Sequence, residues 1–436
     1  MMKKRAIVLS LLACLLLPLL FSACAGAQDR LPTVTLRVYN WGQYISDGSG
    51  DLPDTNKMFE EYFNENLAEE YGYRISVNYS TFPSNEDMYN KLVSGSASFD
   101  IIVPSEYMIE RLISENLLKP LDFSKIPNYE YIDEKFRTEF NTYDPDGLYT
   151  VPYTYGTVGI IYNSDYVDEE DIGSWDLLWN EKYAGKILQF NNPRDALGTA
   201  MYRLGYSVNT TDHRKWQEAS DLLLAQKPLV QAYVMDEIFN KMISGSAWIA
   251  PYYAGDFLTM YDSNDSLCVY SPSEGTNIFA DAMCIPTCSK NYDAALAYIN
   301  FMLSAEAAVA NAEYLGYSCP NTLVTENEEY IEYMTDWHED ALSILYGENI
   351  LVDDYADLST LPEGSERRSF FHALTDTEEN GGLLSFTNEL WAQLKTESAI
   401  EPWIIVADVV IVAALATLLI FFFLRRKRRE KYDWAA

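Results

Sequence analysis

Histidine is nearly missing from this chain, whose 436 residues include only His213, His338 and His372. All three lie in polar, helix-like surroundings, which leaves little material for a histidine zinc site or a catalytic triad. The sequence also lacks a Gly-x-Ser-x-Gly elbow, a phosphate-binding glycine loop and a His-Glu-x-x-His helix. Paired acids can serve a glycosidase, but no two carboxylates stand at a readable spacing. These absences argue against an enzyme and give no sign of a cofactor or a metal. Positive charge is scarce too: 31 Lys and Arg face 65 Asp and Glu, for a formal net charge of −34. That balance excludes nucleic acid as a natural partner and favours encounter with a cation, although the solubility of an exported protein accounts for it nearly as well. Cysteine is sparse. Beyond the first 24 residues only Cys268, Cys284, Cys288 and Cys319 are left. A domain of this size needs no staple, and Cys284-x3-Cys288 has no histidine beside it, so buried free thiols are expected.

Long apolar runs are confined to the two ends. Lys3, Lys4 and Arg5 precede an apolar stretch from Ala6 to Leu20, the pattern of a secretory signal. Phe21-Ser22-Ala23-Cys24 then resembles a lipoprotein box, so residues 1–24 are expected to be a signal and Cys24 the lipidated N-terminus; cleavage after Ala27 is the alternative. At the other end Trp403 to Leu424 is apolar except for Asp408. At about 1.5 Å per residue it is on the order of 33 Å long, enough to span a bilayer. Arg425 to Arg429 follow, which predicts a basic cytoplasmic tail over 425–436 and an extracytoplasmic domain before the span.

Between the ends the pattern alternates. Leu36–Asn40 and Arg74–Tyr79 read as strands, with helical patterns at Met58–Tyr71 and Asn85–Val93. Asp100–Val103 and Tyr107–Asn116 continue the series as a strand and a helix. A second series has strands at Thr157–Tyr162, Lys186–Phe190 and Trp248–Tyr253, and helices at Pro193–Leu204, His213–Ala225 and Tyr292–Leu315. The order implies an α/β fold with a parallel sheet covered on both faces. One internal repeat ties the series together: Tyr89-Asn90-Lys91-Leu92-Val93-Ser94-Gly95-Ser96-Ala97 is echoed by Phe239-Asn240-Lys241-Met242-Ile243-Ser244-Gly245-Ser246-Ala247. Each copy reads as a helix stopped at Ser-Gly, then a strand, then a polar loop at the strand's carboxyl end, where open α/β sheets bind ligands. Two such lobes facing each other form a cleft that closes by a hinge.

Several segments together resemble a known family, the polyamine-binding proteins of ABC importers (the spermidine/putrescine group). They include Tyr39-Asn40-Trp41-Gly42-Gln43-Tyr44, Ile102-Val103-Pro104-Ser105-Glu106-Tyr107, Ser174-Trp175-Asp176-Leu177-Leu178-Trp179, Arg203-Leu204-Gly205-Tyr206-Ser207, Tyr253-Ala254-Gly255-Asp256 and Gly316-Tyr317-Ser318-Cys319-Pro320-Asn321. The resemblance implies a two-lobed periplasmic-binding-protein-like fold of type II with a hinge and an interlobe cleft. Lobe 1 is expected over 33–150, completed by 280–325, and lobe 2 over 151–279, completed by 326–400. It also implies a monomer that captures a polyamine and hands it to ABC permease subunits. Its matching positions point to Trp41, Tyr44, Ser105, Tyr107, Asp195, Tyr253, Asp256, Phe279, Asp281 and Tyr317 as ligand-binding residues. The chemistry suits them, since ammonium heads want carboxylates and methylene chains want aromatic walls. Asp281 stands out because it interrupts the apolar stretch Ile278-Phe279-Ala280-Asp281-Ala282-Met283, where a carboxylate needs a partner. Plainer roles compete: Ser105 or Asp256 as a helix cap, Asp195 as a first-turn acid, Trp41 as core. Gly42 and Gln43 depart from the family's pattern. Asn192 in place of an acid, with Asp256 present, favours putrescine over spermidine. A same-fold receptor for a sugar, iron or thiamine, or a ligand-sensing ectodomain, is the alternative; Tyr252-Tyr253 is a slight hint of iron.

Overall fold

The computed structural model describes residues 31–396 apart from 139, 348 and 352–365. The signal over 1–24 with Cys24, the span over 403–424 and the tail over 425–436 lie outside the described residues. Within them, no helix is long and apolar enough to cross a membrane.

The first series folds as β1 (Thr33–Trp41), α1 (Thr55–Asn66), β2 (Arg74–Phe82), α2 (Asn85–Val93), β3 (Ile101–Ile102) and α3 (Glu106–Ser114). The second runs through β4 (Thr150–Asn163), β5 (Ile187–Phe190), α4 (Pro193–Arg203), α5 (His213–Gln226), β6 (Val230–Val234), α6 (Glu237–Ile243), β7 (Ile249–Tyr253) and α7 (Ala254–Tyr261). Then come β8 (Leu267–Tyr270), β9 (Thr276–Cys284), α8 (Tyr292–Met302) and α9 (Ala305–Leu315). Local chemistry sets the boundaries. Ser84 caps α2 by accepting the Asp87 N–H, and Asn192 caps α4 through the Asp195 N–H. The stretch read as one helix over Tyr292–Leu315 is two, because Ser304 caps α9 and restarts the ladder.

The sheet is mixed, which corrects the expected parallel sheet. Strand order is β2-β1-β3-β9-β4-β7-β5-β6. Its flanks are parallel, as in β1 with β2 and β5 with β6, but β9 pairs antiparallel with β3 and β4, and β4 antiparallel with β7 and β8. Two buried strands cause this. β4 and β9 lie side by side, and β4 carries the chain from one hydrophobic core to a second: Val151, Tyr153 and Tyr155 pack in the first, Val158, Ile160 and Ile161 in the second. Phe370 and Phe371 do the same further on, each packing into a different core. Two lobes therefore meet across β4, β9 and the Phe370–Phe371 strap.

The repeat is structural. Gly95 and Gly245 both adopt left-handed backbone, with φ of 64° and 69°. In each copy the two serines turn back onto one carbonyl: Ser94 and Ser96 donate to that of Lys91, Ser244 and Ser246 to that of Lys241. Each copy then enters its sheet, through β3 or β7, and opens a helix at the strand's end.

Candidate ligand-binding site

The ten residues picked out in the sequence line one cavity of about 320 Å³ between the lobes. Trp41 and Tyr44 come from the end of β1, Ser105 and Tyr107 from the start of α3, Asp195 from the first turn of α4. Tyr253 and Asp256 stand where β7 becomes α7, Phe279 and Asp281 lie on β9, and Tyr317 follows α9. The close packing depends on two glycines. A Cβ on Gly255 would lie 2.8 Å from both the Gly316 carbonyl oxygen and Tyr317 Cγ, and one on Gly156 would lie 2.8 Å from Phe279 Cζ. Without side chains there, the two rings can enter the cleft.

A single motif recurs around the wall: a carboxylate held by a tyrosine hydroxyl. Tyr44 donates to Asp281 Oδ2 at 2.6 Å and Tyr317 to Asp256 Oδ2 at 2.7 Å. Tyr253 donates to Asp195 Oδ2 at 2.9 Å, and Tyr107 to Glu86 Oε1 at 3.0 Å. The hydroxyl occupies one face of each acid and aims it. Rings complete the lining: Phe279 meets Tyr253 and Tyr317 edge-on at 5.3 and 5.9 Å, and Tyr317 meets Tyr44 at 5.6 Å.

The plainer readings of several residues fail on geometry. Ser105 occupies the cap position of α3, but its side chain makes no cap bond; Oγ accepts instead from Asn85 Nδ2 at 3.1 Å. Asp256 caps nothing, because α7 begins at Ala254. Asp195 does sit in the first turn of α4, yet its carboxylate is turned to Tyr253 and Asn192.

Charge in the cavity is one-sided. Among the described residues Glu86, Glu106, Asp195, Asp236, Asp256 and Asp281 line it, and no lysine, arginine or histidine does. Burial pushes the Asp256 carboxyl up to about 7, against the opposing pull of the Tyr317 hydrogen bond, and the Asp281 carboxyl up to about 6. Burial raises Asp195, Glu86, Asp236 and, most of all, Glu106 as well. Three buried polar atoms at the wall lack any partner among the described residues: Trp41 Nε1, Glu106 Oε1 and Asp281 Oδ1. A wall of desolvated acids with an uncommitted oxygen on Asp281 is matched by a cation.

Residues 59–337 match the family of bacterial extracellular solute-binding proteins. The chain belongs to that family. As a solute-binding protein it is not an enzyme. Among curated relatives, the spermidine/putrescine-binding periplasmic protein of Salmonella typhimurium is 32% identical over 288 residues, covering 66% of this chain and 78% of the relative. The putrescine-binding periplasmic protein PotF of Escherichia coli is 29% identical over 308 residues, covering 67% and 79%. A solved structure described as a putative spermidine/putrescine ABC transporter from Listeria monocytogenes superposes with a TM-score of 0.65 at 33% identity, over 83% of this chain and 99% of that one. PotD from Streptococcus pneumoniae gives 0.60 at 34% identity, over 83% and 98%.

Sequence reasoning missed Glu86, Glu106 and Asp236 as members of this binding protein's cavity. Glu86 reads as an ordinary first-turn acid. The repeat held the signal. Its shift of 150 positions, extended upstream, carries Glu86 onto Asp236, and downstream it carries Glu106 onto Asp256. Four of the cavity's six carboxylates are thus two pairs from one duplicated unit. Phe371 was missed because it reaches the cleft from a distant strap.

Proposed function

We propose that this protein captures a polyamine, putrescine or spermidine, outside the cytoplasm and delivers it to the permease subunits of an ABC importer. One observation carries the reading: among the described residues, six carboxylates and no basic side chain line a cavity rich in aromatic rings. Ammonium groups fit the acids, and methylenes fit the rings. The names of the relatives agree with that chemistry. In this reading Asp281, Asp256 and Asp195 hold amines, Trp41, Tyr253, Phe279 and Tyr317 flank the chain, and Tyr44, Tyr107 and Ser105 fix the acids and the second loop. The lobes divide about 33–150 with 280–325 and 151–279 with 326–400, except that the first half of β4 and Phe370 pack with the first lobe and Ala308, Ala312, Cys319 and Val324 with the second, and hinge closure traps the ligand. A neutral sugar has no use for six acids.

The protein works as a monomer on the extracytoplasmic face of the cell membrane, tethered by lipid on Cys24, by the apolar run Trp403–Leu424, or by both, with 425–436 in the cytoplasm. Calorimetric titration with putrescine, spermidine and a neutral sugar tests the ligand class; saturable binding of an amine alone supports it, and binding of the sugar alone sinks it. Membrane fractionation of Cys24→Ser and of a chain ending before Trp403 tests the tether; a wild-type chain found wholly in the soluble fraction would dismiss it.

A further inference from the structure

Behind the acidic cleft lies a second cavity of about 300 Å³. Glu86 and Tyr107 form the partition, since both line both spaces. The rear space has a different charge. Arg111 from α3 and Arg194 from α4 line it, against one carboxylate among the described residues, that of Glu86. One arginine comes from each lobe, so the space is interlobar.

Arg194 is poorly satisfied for a buried cation. It is 6% exposed, and its Nη2 donates to the His372 carbonyl at 3.2 Å. Its Nε and Nη1 are buried with no partner among the described residues. The guanidinium instead rests among rings, 4.5 Å from the centroid of Phe371, 5.6 Å from Trp216 and 5.7 Å from Tyr107. Nearby acids stabilise it through space, but among the described residues none forms an ion pair with it, and each accepts a hydrogen bond from another group. Asp195 is held by Asn192 and Tyr253, Glu86 accepts from Tyr107, and Glu106 accepts from the Ala280 N–H. Burial also raises the Glu86 carboxyl, which weakens it as a counter-charge. Arg111 holds Glu115 through Nε at 2.9 Å and stacks 3.7 Å from the Tyr89 ring centroid. Asn90, Thr387 and Asn388 add neutral polar groups to the lining.

We propose that this rear cavity is an anion site that takes a small oxyanion, a carboxylate or a phosphate, with Arg194 and Arg111 as its charged donors. A guanidinium fork matches two oxygens of such a group, and the unmet donors of Arg194 are what the anion satisfies. Because the donors come from both lobes, the anion bridges them and favours the closed arrangement. By reciprocity it tightens binding of a cation in the front cleft.

The test is calorimetry on the full-length chain at fixed ionic strength, with inorganic phosphate in one arm and acetate in the other. Saturable one-to-one binding is expected in at least one arm, and the arm that binds names the source. Binding should weaken by about tenfold or more in Arg194→Met and in Arg111→Gln, and persist in Asp256→Asn. Putrescine should bind several-fold tighter with the anion present in the wild type, and the gain should vanish in Arg194→Met. No saturable binding in either arm overturns the site, as does equal binding in the wild type and both arginine variants. Should Arg194→Met fail to fold, Arg111→Gln decides alone. The anion arms contain no amine, so a failure of the polyamine reading leaves this result interpretable.

Discussion

Replacing Asp281 by asparagine separates a binding role from a structural one. The side chain is 3% exposed, its Oδ2 accepts from Tyr44, the Ser105 side chain lies against the carboxyl as a further, weaker donor, and Oδ1 makes no hydrogen bond of ordinary geometry among the described residues. An ammonium on Oδ1 makes a charge-assisted hydrogen bond of about 1.5–3 kcal/mol. Asparagine keeps the acceptor for Tyr44 and loses that bond, so polyamine affinity at pH 7.5 should fall roughly 10- to 100-fold. Stability should move the other way. Burial lifts the carboxyl from 3.8 to about 6, so ionising it at pH 7.5 costs the ligand-free fold on the order of 3 kcal/mol at about 1.36 kcal/mol per pH unit. A neutral isostere avoids that cost, and the ligand-free variant should melt a few degrees above the wild type. Calorimetry with putrescine and spermidine measures the first effect and a melting curve the second. Unchanged affinity in a folded variant, or lost affinity together with a large drop in melting temperature, would refute the reasoning.

Tyr317→Phe removes the hydroxyl on Asp256, whose carboxyl should then rise above about 7. Amine binding should weaken several-fold at pH 7 and recover at pH 8.5, as read by titration at both values. Wild-type affinity should itself fall as pH drops through about 7 and 6, because the free acids must lose protons before they can hold an ammonium. In the ligand-free protein the sign is opposite. A folded pKa raised above the unfolded one means the folded state holds more protons, so these two acids make the fold less stable as pH rises from about 4 to 7. The double variant Asp256→Asn with Asp281→Asn should show a shallower loss of melting temperature over that range. Gly255→Ala forces a Cβ against the Gly316 carbonyl and Tyr317; a cost of about 1–3 kcal/mol in denaturant melts and weaker amine binding are expected.

Much of this was legible because local chemistry and tertiary role agreed. The helix over Asn85–Val93 was read to the residue, since Ser84 caps it and Gly95 stops its continuation. β4 was read as Thr157–Tyr162 only. Its first half carries Pro152 and Gly156, and its register against β9 slips between Pro152 and Thr154. Strand direction was illegible, because strands buried on both faces show no alternation whichever way they run. β9, buried along its whole length, is such a strand. Asp281 was readable because an acid in that run has no other account. Glu86 and Asp236 were not, since the helix dipole explains acids in those places. Arg194 escaped notice for a similar reason: Pro-Arg-Asp at a helix start looks like a solvated first turn, and only packing shows the guanidinium to be enclosed.

The most direct measurement is a crystal structure of the protein with putrescine bound. The account predicts an ammonium nitrogen at about 2.7–2.9 Å from Asp281 Oδ1, the second amine at Asp256 or Asp195, and the methylenes between the rings of Tyr253, Phe279 and Tyr317. A diamine seated away from these carboxylates, with Asp281 Oδ1 untouched, would contradict it.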